Sequence, residues 1–457
     1  MMRFGSFIAG LALLITFGGA APEADLVGPL DPEQPNVLVI ITDDQRATEG
    51  TLKVMPKTRR WLARDGTRYS NAFSTTPLCC PARASLFSGR YAHNHGVFSN
   101  LGKLHFNHRF TVQDYLDDAG YQTAITGKYF NNWNHSNDPP HFDRWALFDG
   151  GYYNRRYNVN GTMRDVARYS TNFLAQKSIR FLKDFEEADA EPWFLYVAPY
   201  APHYAFTAES RYRGTSVPGW KGNPAVFERD RSDKPAYVRL RDETYETWKR
   251  NRAVQLRSLK SVDDLVGGLR STMWRLKEDS DTIILYMSDN GYMWADHGLF
   301  DKGAPYTPSI QIPMLMRLPK GSDQPRFDSR LTGNIDVTPT ILDVAGILPD
   351  PQHPMDGRSL VAPAPQRERI LAEYRNNDNI WTPPTWASTR TKDIQYTEYY
   401  DDGKRIFREY YDLNRDPWQL RNLLRDGKKS NDPSPATLKA LSVQLAEDRR
   451  CAGANCP

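Results

Sequence analysis

At 457 residues the chain is long enough to bury a sizeable core, as one large α/β enzyme or as two or three domains, and its 40% hydrophobic and 25% charged residues are ordinary globular values. Lys plus Arg number 59 against 55 Asp plus Glu, and a net charge of +4 announces no polybasic stripe, so charge does not point to nucleic acid. So small an excess is compatible with an anionic substrate without arguing for one.

From Met1 to about Ala24, Arg3 precedes an apolar run from Phe7 to Phe17 and then Gly18-Gly19-Ala20-Ala21-Pro22, the pattern of a secretory signal peptide over residues 1–24. The run is too short to span a bilayer, and no later segment reaches the roughly 20 apolar residues a spanning helix needs. The mature protein is therefore expected outside the cytoplasm, secreted and without a stable membrane span. Cys451 and Cys456, in a small-residue tail, suit a local disulfide in that setting. Cys79 and Cys80 are not paired, because a bridge between neighbours is strained.

After a Pro-rich leader, the β-branched run Asn36 to Thr42 reads as a buried parallel strand that ends on Asp43-Asp44. Helical patterns follow at Met55–Asp65, Ala82–Gly89 and Thr111–Ala119, with a strand at Gln122–Thr126. Tyr129–Arg164, dense in Asn, Tyr, Trp and Gly, reads as a long irregular loop of the kind that is often functional. A helix at Tyr169–Glu186 leads to the strand Trp193–Ala198; residues 204–245 are irregular and charged. The long helical pattern Thr247–Glu278 feeds the strand Asp281–Met287, followed by a strand at Ile312–Arg317 and a helix at Thr338–Ala345. Strands alternating with helices imply a mostly parallel sheet covered on both faces, a catalytic domain over 35–348. Five prolines in Pro349–Gln366 mark a linker. Beyond about Arg367 the shorter runs Thr391–Tyr400 and Arg405–Tyr411, then a helix at Pro435–Arg449, read as a smaller antiparallel subdomain, 367–457. There is no internal repeat.

Active sites of such sheets form at the carboxyl ends of the strands. Asp43-Asp44 and Ser288-Asp289-Asn290-Gly291 both lie there, offering three carboxylates and an amide, hard oxygen donors of the type Ca²⁺ or Mg²⁺ takes. Alone, an Asp-Asp pair is usually a helix cap or a solvated turn. Between the two clusters, Cys79 opens a short apolar helix in which Pro81 suits the first turn, near free N–H groups that favour an anion, and Arg83 adds a fork of donors suited to a tetrahedral oxyanion. Lys128 in Thr126-Gly127-Lys128-Tyr129, His203 in Ala201-Pro202-His203 and Lys302 in Asp301-Lys302-Gly303 are single residues, each unremarkable alone.

Cys79, Pro81 and Arg83 spell C-x-P-x-R, and the run out to Gly89-Arg90 resembles the signature of the type I sulfatases, whose motif cysteine is oxidised to formylglycine by a formylglycine-generating enzyme. Cys80 does not fit that register. The resemblance extends from about Pro35 to Leu423 and is greatest to the N-acetylglucosamine-6-sulfatase branch, through Cys79-Cys80-Pro81, Tyr91 to Gly96 and Gly127-Lys128-Tyr129. It implies an alkaline-phosphatase-like mixed, mostly parallel sheet flanked by helices, and a metal site of Asp43, Asp44, Cys79, Asp289 and Asn290, with Ca²⁺ preferred over Mg²⁺.

It also implies a mechanism. The aldehyde made from Cys79 is hydrated, one oxygen attacks sulfur and expels the alcohol, and collapse of the other releases sulfate. Arg83 steadies the diol, Lys128 and Lys302 hold sulfate oxygens, and His203 serves the leaving group. The substrate is then a sulfated small molecule or glycan, with phosphonate or phosphate diester hydrolysis and non-catalytic glycan binding as rivals; the oligomeric state is unassigned. Two departures stand out: Phe130 occupies a position where many sulfatases carry His, so that either His135 or Asn131 substitutes or the contact is absent and the general acid is open, and Ala82 replaces a common Ser. His297, Trp133 and Trp145 are further candidates for contact with the alcohol portion, and the His93/His95 pair reads as surface or substrate-facing.

Overall fold

Val, Ile and Leu on both faces of Asn36–Thr42 make it a strand, β1, that is buried at every position. In the computed structural model, Met1, Met2 and residues 34–457 are described, apart from 49, 102–103, 132, 188–190, 323, 364–365 and 377–381. The expected signal peptide thus lies, from residue 3 onward, outside the described residues.

Next in chain order come β2 (Thr67–Phe73), β3 (Gln122–Gly127), β4 (Arg144–Leu147), β5 (Arg155–Val159), β6 (Thr162–Val166), β7 (Trp193–Ala198) and β8 (Thr282–Ser288). Two short strands, β9 (Met293–Trp294) and β10 (Phe300–Asp301), pair with each other; β11 (Met314–Arg317) and β12 (Phe327–Gly333) return to the large sheet. Among the described residues that sheet has ten strands in the order β12-β2-β11-β8-β1-β7-β3-β4-β5-β6. β8, β1, β7, β3 and β4 run parallel, as do β2 and β12, while β11 is antiparallel to both β2 and β8.

Alternation along β1 splits the core in two. Val37, Val39 and Ile41 pack with Leu86 and Phe87 of the Cys79–Ser88 helix and with Val337 and Ile341 of the Val337–Val344 helix. Leu38 and Ile40 pack on the other face with Leu174 and Leu182 of the Ser170–Glu186 helix and Leu259, Val262 and Val266 of the Tyr245–Leu276 helix. Pairs spaced by three or four residues put one stripe of that 32-residue helix on the sheet; Thr244 caps its start by accepting from the Thr247 N–H.

Three expectations change. Tyr129–Arg164 is not wholly irregular, since it supplies β4, β5 and β6; the β5–β6 turn carries Asn160 and Gly161 at φ 48° and 79°, the left-handed pair that Asn-Gly favours in a hairpin. Met55–Asp65 becomes one helical turn, Pro56–Thr58, followed by a π-helical turn, Arg59–Ala63. β2 and β12 escaped the sequence reading, for their faces mix buried and exposed residues without a long apolar run.

β13 (Ile370–Tyr374), β14 (Thr385–Arg390), β15 (Ile394–Asp401) and β16 (Lys404–Asp412) form an antiparallel sheet against which Leu445 of the Pro435–Asp448 helix packs. It belongs to the same unit as the large sheet, Pro35–Pro457, and a buried pair between Arg367 and Asp336 at 2.6 Å ties the two. Cys451 and Cys456 are joined in a disulfide in the tail. Among the described residues no helix is long and apolar enough to cross a membrane.

Candidate active site

The carboxyl ends of β1, β3 and β8 place Asp43-Asp44, Lys128 and Asp289-Asn290 at one edge of the sheet, and the Cys79–Ser88 helix starts beside them. Cys79 has no exposed surface. Its Sγ donates to Asp43 Oδ1 at 3.4 Å and receives Lys302 Nζ at 3.0 Å. Lys302 also donates to Asp44 Oδ1, and Lys128 Nζ to Asp43 Oδ2 at 2.5 Å. The sequence-predicted cysteine, lysines and first acid pair are thus in direct contact, from segments far apart in the chain.

Gly127 makes the Lys128 position accessible. At φ 104° it needs the left-handed freedom of glycine, and a Cβ there would lie 2.0 Å from the Ala198 carbonyl, which accepts the Lys128 N–H at 3.0 Å. Asp44 and Asp301 are non-glycine residues at φ 68° and 71°, strained conformations flanking the Asp44–Lys302 pair.

Arg83 links the two acidic loops to Lys128. Its Nε and Nη2 both donate to Asp289 Oδ2, at 3.1 and 3.0 Å, and its Nη1 donates to the Lys128 carbonyl at 2.7 Å. Three of its N–H groups are thus engaged inside the protein, and through them Arg83 positions Asp289 and Lys128. Asp289 Oδ1 in turn accepts the N–H groups of Asp44 and Asn290 at 3.1 and 2.9 Å, holding the two acidic loops together.

Burial disfavours charge on Asp43, yet Lys128, His203, Arg83 and Lys302 hold its carboxyl well below the usual range. Burial and then the Asp43 charge push Asp289 upward. Burial first, then Asp43, also raises the Cys79 thiol, leaving it neutral and a poor nucleophile as it stands. His203 donates from Nδ1 to the Tyr204 carbonyl and sets Nε2 3.5 Å from Asp44 Oδ2. A neutral ring so held presents an acceptor at Nε2, and a protonated ring a donor.

The donor set fits a hard cation. Ligand atoms of Asp43, Asp44, Cys79 and His203 lie within 4.8 Å of one another. Among the described residues Asp44 Oδ2 and Asn290 Oδ1 are buried and accept no hydrogen bond, with His203 Nε2 3.5 Å from the former, an expensive state for buried oxygens. Asn290 Nδ2 donates to Asp44 Oδ1 at 2.7 Å, so the amide is oriented with its oxygen free. Asp289, with both oxygens engaged, supports this set from behind. Three carboxylates balance three cations here, so a divalent ion would give the site the positive excess an anionic ester needs.

The other candidates pack elsewhere. His297 is buried, with Nδ1 2.7 Å from Glu228 and its ring on Tyr306, a packing role rather than a substrate-facing one. Phe130 sits in an aromatic cluster with Phe87 and Phe106, while Asn131 holds Cys80 through its N–H to Sγ at 3.2 Å. His135 accepts from Asn158 Nδ2 through its backbone carbonyl, and burial lowers its ring's pKa. His93 bonds Glu373 and the Cys451 carbonyl; His95 bonds Ser85, and burial takes it down to about 3.

Trp133 and Trp145 spend their indole N–H groups on Asn137 and Asn158, at 3.3 and 3.0 Å, and both pack on the core. Trp145→Ala is accordingly expected to cost about 2–4 kcal/mol of stability, read as a lower melting temperature, and to change KM for sulfated sugar and aryl sulfate by the same factor. A loss confined to the sugar would restore the substrate-binding role. Sequence reasoning missed Arg46, whose guanidinium bonds Asp296 at 2.5 and 3.0 Å in full burial and anchors the chain just past Asp43-Asp44; nothing short of the 250-residue separation being closed would have revealed it.

Comparison with known proteins gives matches along most of the chain. Residues 35–347 match the sulfatase family, and residues 295–447 match the C-terminal region of N-sulphoglucosamine sulphohydrolase. Human N-acetylglucosamine-6-sulfatase is 29% identical over 93% of this chain and 86% of its own length. An extracellular sulfatase SULF-1 homolog of Drosophila melanogaster is 33% identical over 74% of this chain, which spans only 32% of that relative. Among solved structures, BT4656 in complex with its substrate D-glucosamine-2-N,6-O-disulfate has the same fold, with a TM-score of 0.80 and 22% identity over 92% of this chain and 98% of that one.

Proposed function

Because this chain belongs to the sulfatase family, on the branch of the N-acetylglucosamine-6-sulfatases, we propose that it releases inorganic sulfate from the O-sulfate ester of a sulfated sugar, outside the cytoplasm, with Ca²⁺ in preference to Mg²⁺. The observation that carries this reading is the setting of Cys79 Sγ between Lys302 Nζ and Asp43, with the orphan oxygens of Asp44 and Asn290 beside it.

Asp43, Asp44 and Asn290 would hold the cation, with Asp289 fixing their loops; the bound ion supplies Lewis acidity toward an ester oxygen. Cys79, once converted to formylglycine by a formylglycine-generating enzyme, supplies a hydrated aldehyde as the nucleophile toward sulfur. Lys302 and Lys128 balance the charge of the carboxylates and offer N–H donors to sulfate oxygens. His203, its Nδ1 anchored, holds or delivers a proton at Nε2, where the departing alcohol takes it up. The carboxylates, Cys79 and Lys128 are buried away from bulk water, while His203 and Lys302 are half-buried.

The test is sulfate release by purified protein from N-acetylglucosamine-6-sulfate, aryl sulfates and choline sulfate, alongside an aryl phosphodiester. A kcat/KM at least ~100-fold above the phosphodiester is expected for the sugar sulfate. Preference for the phosphodiester would move the assignment to phosphonate or phosphate diester hydrolysis. Tight binding of sulfated sugar with no release from fully converted protein would make it a glycan-binding protein.

A further inference from the structure

The small net charge conceals an uneven distribution. Lys53, Arg59, Arg60, Arg64, Arg68 and Lys221 are all exposed and line two grooves, of about 670 and 410 Å³, that share Arg59, Ala63 and Arg68 and so form one continuous channel. No described Asp or Glu lines it, and none of these six side chains makes an ion pair among the described residues. None of the residues of the Cys79 site lines it either.

Local geometry gathers the charges. The π-helical turn brings the Arg64 N–H onto the Arg59 carbonyl at 2.9 Å, stacking two arginines one wide turn apart. Such turns cost helix geometry and recur at functional positions. Arg68 joins them from β2, opposite Phe327 of β12, a residue 70% exposed. Trp418, half-buried, borders the other end. Like charges crowded together raise the local positive potential, which favours an anionic partner that spans several of them.

Resting on the sulfatase reading, we propose that this channel is a second binding surface that holds a sulfated polysaccharide chain away from the reacting ester. Arginine forks match sulfate groups spaced along a chain, and the aromatic faces suit the sugar rings between them. A concave channel favours an extended chain over a flat bilayer. Holding a polymer there raises the effective concentration of its remaining esters at the Cys79 site, so the gain appears on polymer and not on monosaccharide.

The experiment compares the full chain with an Arg59→Gln, Arg60→Gln, Arg64→Gln, Arg68→Gln variant, using heparin as the polymer probe. Affinity for heparin at 150 mM salt is expected to fall at least ~10-fold, and the slope of log affinity against log salt to shrink by about 3, with unchanged kcat/KM on a small sulfate ester. A Lys53→Gln, Lys221→Gln variant with a separate, smaller loss guards against a folding defect in the first. Binding is measured again in a Cys79→Ala background, where retention shows that the channel acts independently of the reaction. If the native protein hydrolyses no sulfate ester but binds heparin through these arginines, the sulfatase reading fails and the surface stands. Unchanged heparin affinity in both variants overturns the proposal, as does equal or tighter binding of a DNA duplex or of phosphatidylserine vesicles.

Discussion

Replacement of Cys79 by Ala is expected to lower kcat by at least about 10⁴-fold, with a melting temperature within a few degrees of the native protein. The side chain is small and its partners, Lys302 and Asp43, retain Asp44 and Lys128 as counter-charges, so the fold loses little. In active protein the peptide containing residue 79 is expected to be about 18 Da lighter than the cysteine form, since CH–SH becomes C=O. An ordinary thiol does not explain activity here, because burial and Asp43 both oppose the thiolate. Full activity with an unmodified Cys79 mass would overturn the formylglycine mechanism.

The second large effect belongs to Asp44. Asp44→Asn is expected to reduce metal content below about one tenth of an ion per chain and kcat/KM at least ~10³-fold. It also leaves the Lys302 ammonium buried beside a neutral amide, a cost of about 2–4 kcal/mol. A readout independent of turnover is available: a cation that binds only the folded state raises the melting temperature of the native protein as its concentration rises, and this increment should vanish in Asp44→Asn. Asp289→Ala is a poorer test, because it strips Arg83 of its main partner and unsettles the fold as well as the metal. Undiminished turnover by the native protein after exhaustive chelation would refute the cation.

Much of this was legible in the residues. The uniform burial of β1 and β8 follows from apolar side chains on both faces, and the acids at their ends belong on the sheet edge by sequence alone. Asn160-Gly161 carried a hairpin signal that was readable and passed unread amid the polar residues around it. What the sequence could not disclose is how each donor is shared. Arg83 binds Asp289 across 206 positions and Lys302 binds Asp44 across 258, so whether a fork meets substrate or protein depends on closure of the whole sheet. The basic channel was hidden for the same reason: its exposed cations lie between residues 53 and 68 and at 221, diluted by acids elsewhere in the chain.

The burial of Cys79 carries a consequence in time. Lys302, which covers its sulfur, follows it by 223 residues. At a synthesis rate of about 5–20 residues per second, the cysteine emerges roughly 10–45 s before that lysine exists. Over that interval the cap of the pocket has not been made and the thiol is open to other proteins; in the finished fold it has no surface to offer. Any conversion of Cys79 by a partner is therefore a race against chain completion, and conditions that slow folding without causing aggregation should raise the fraction of molecules that leave the ribosome competent.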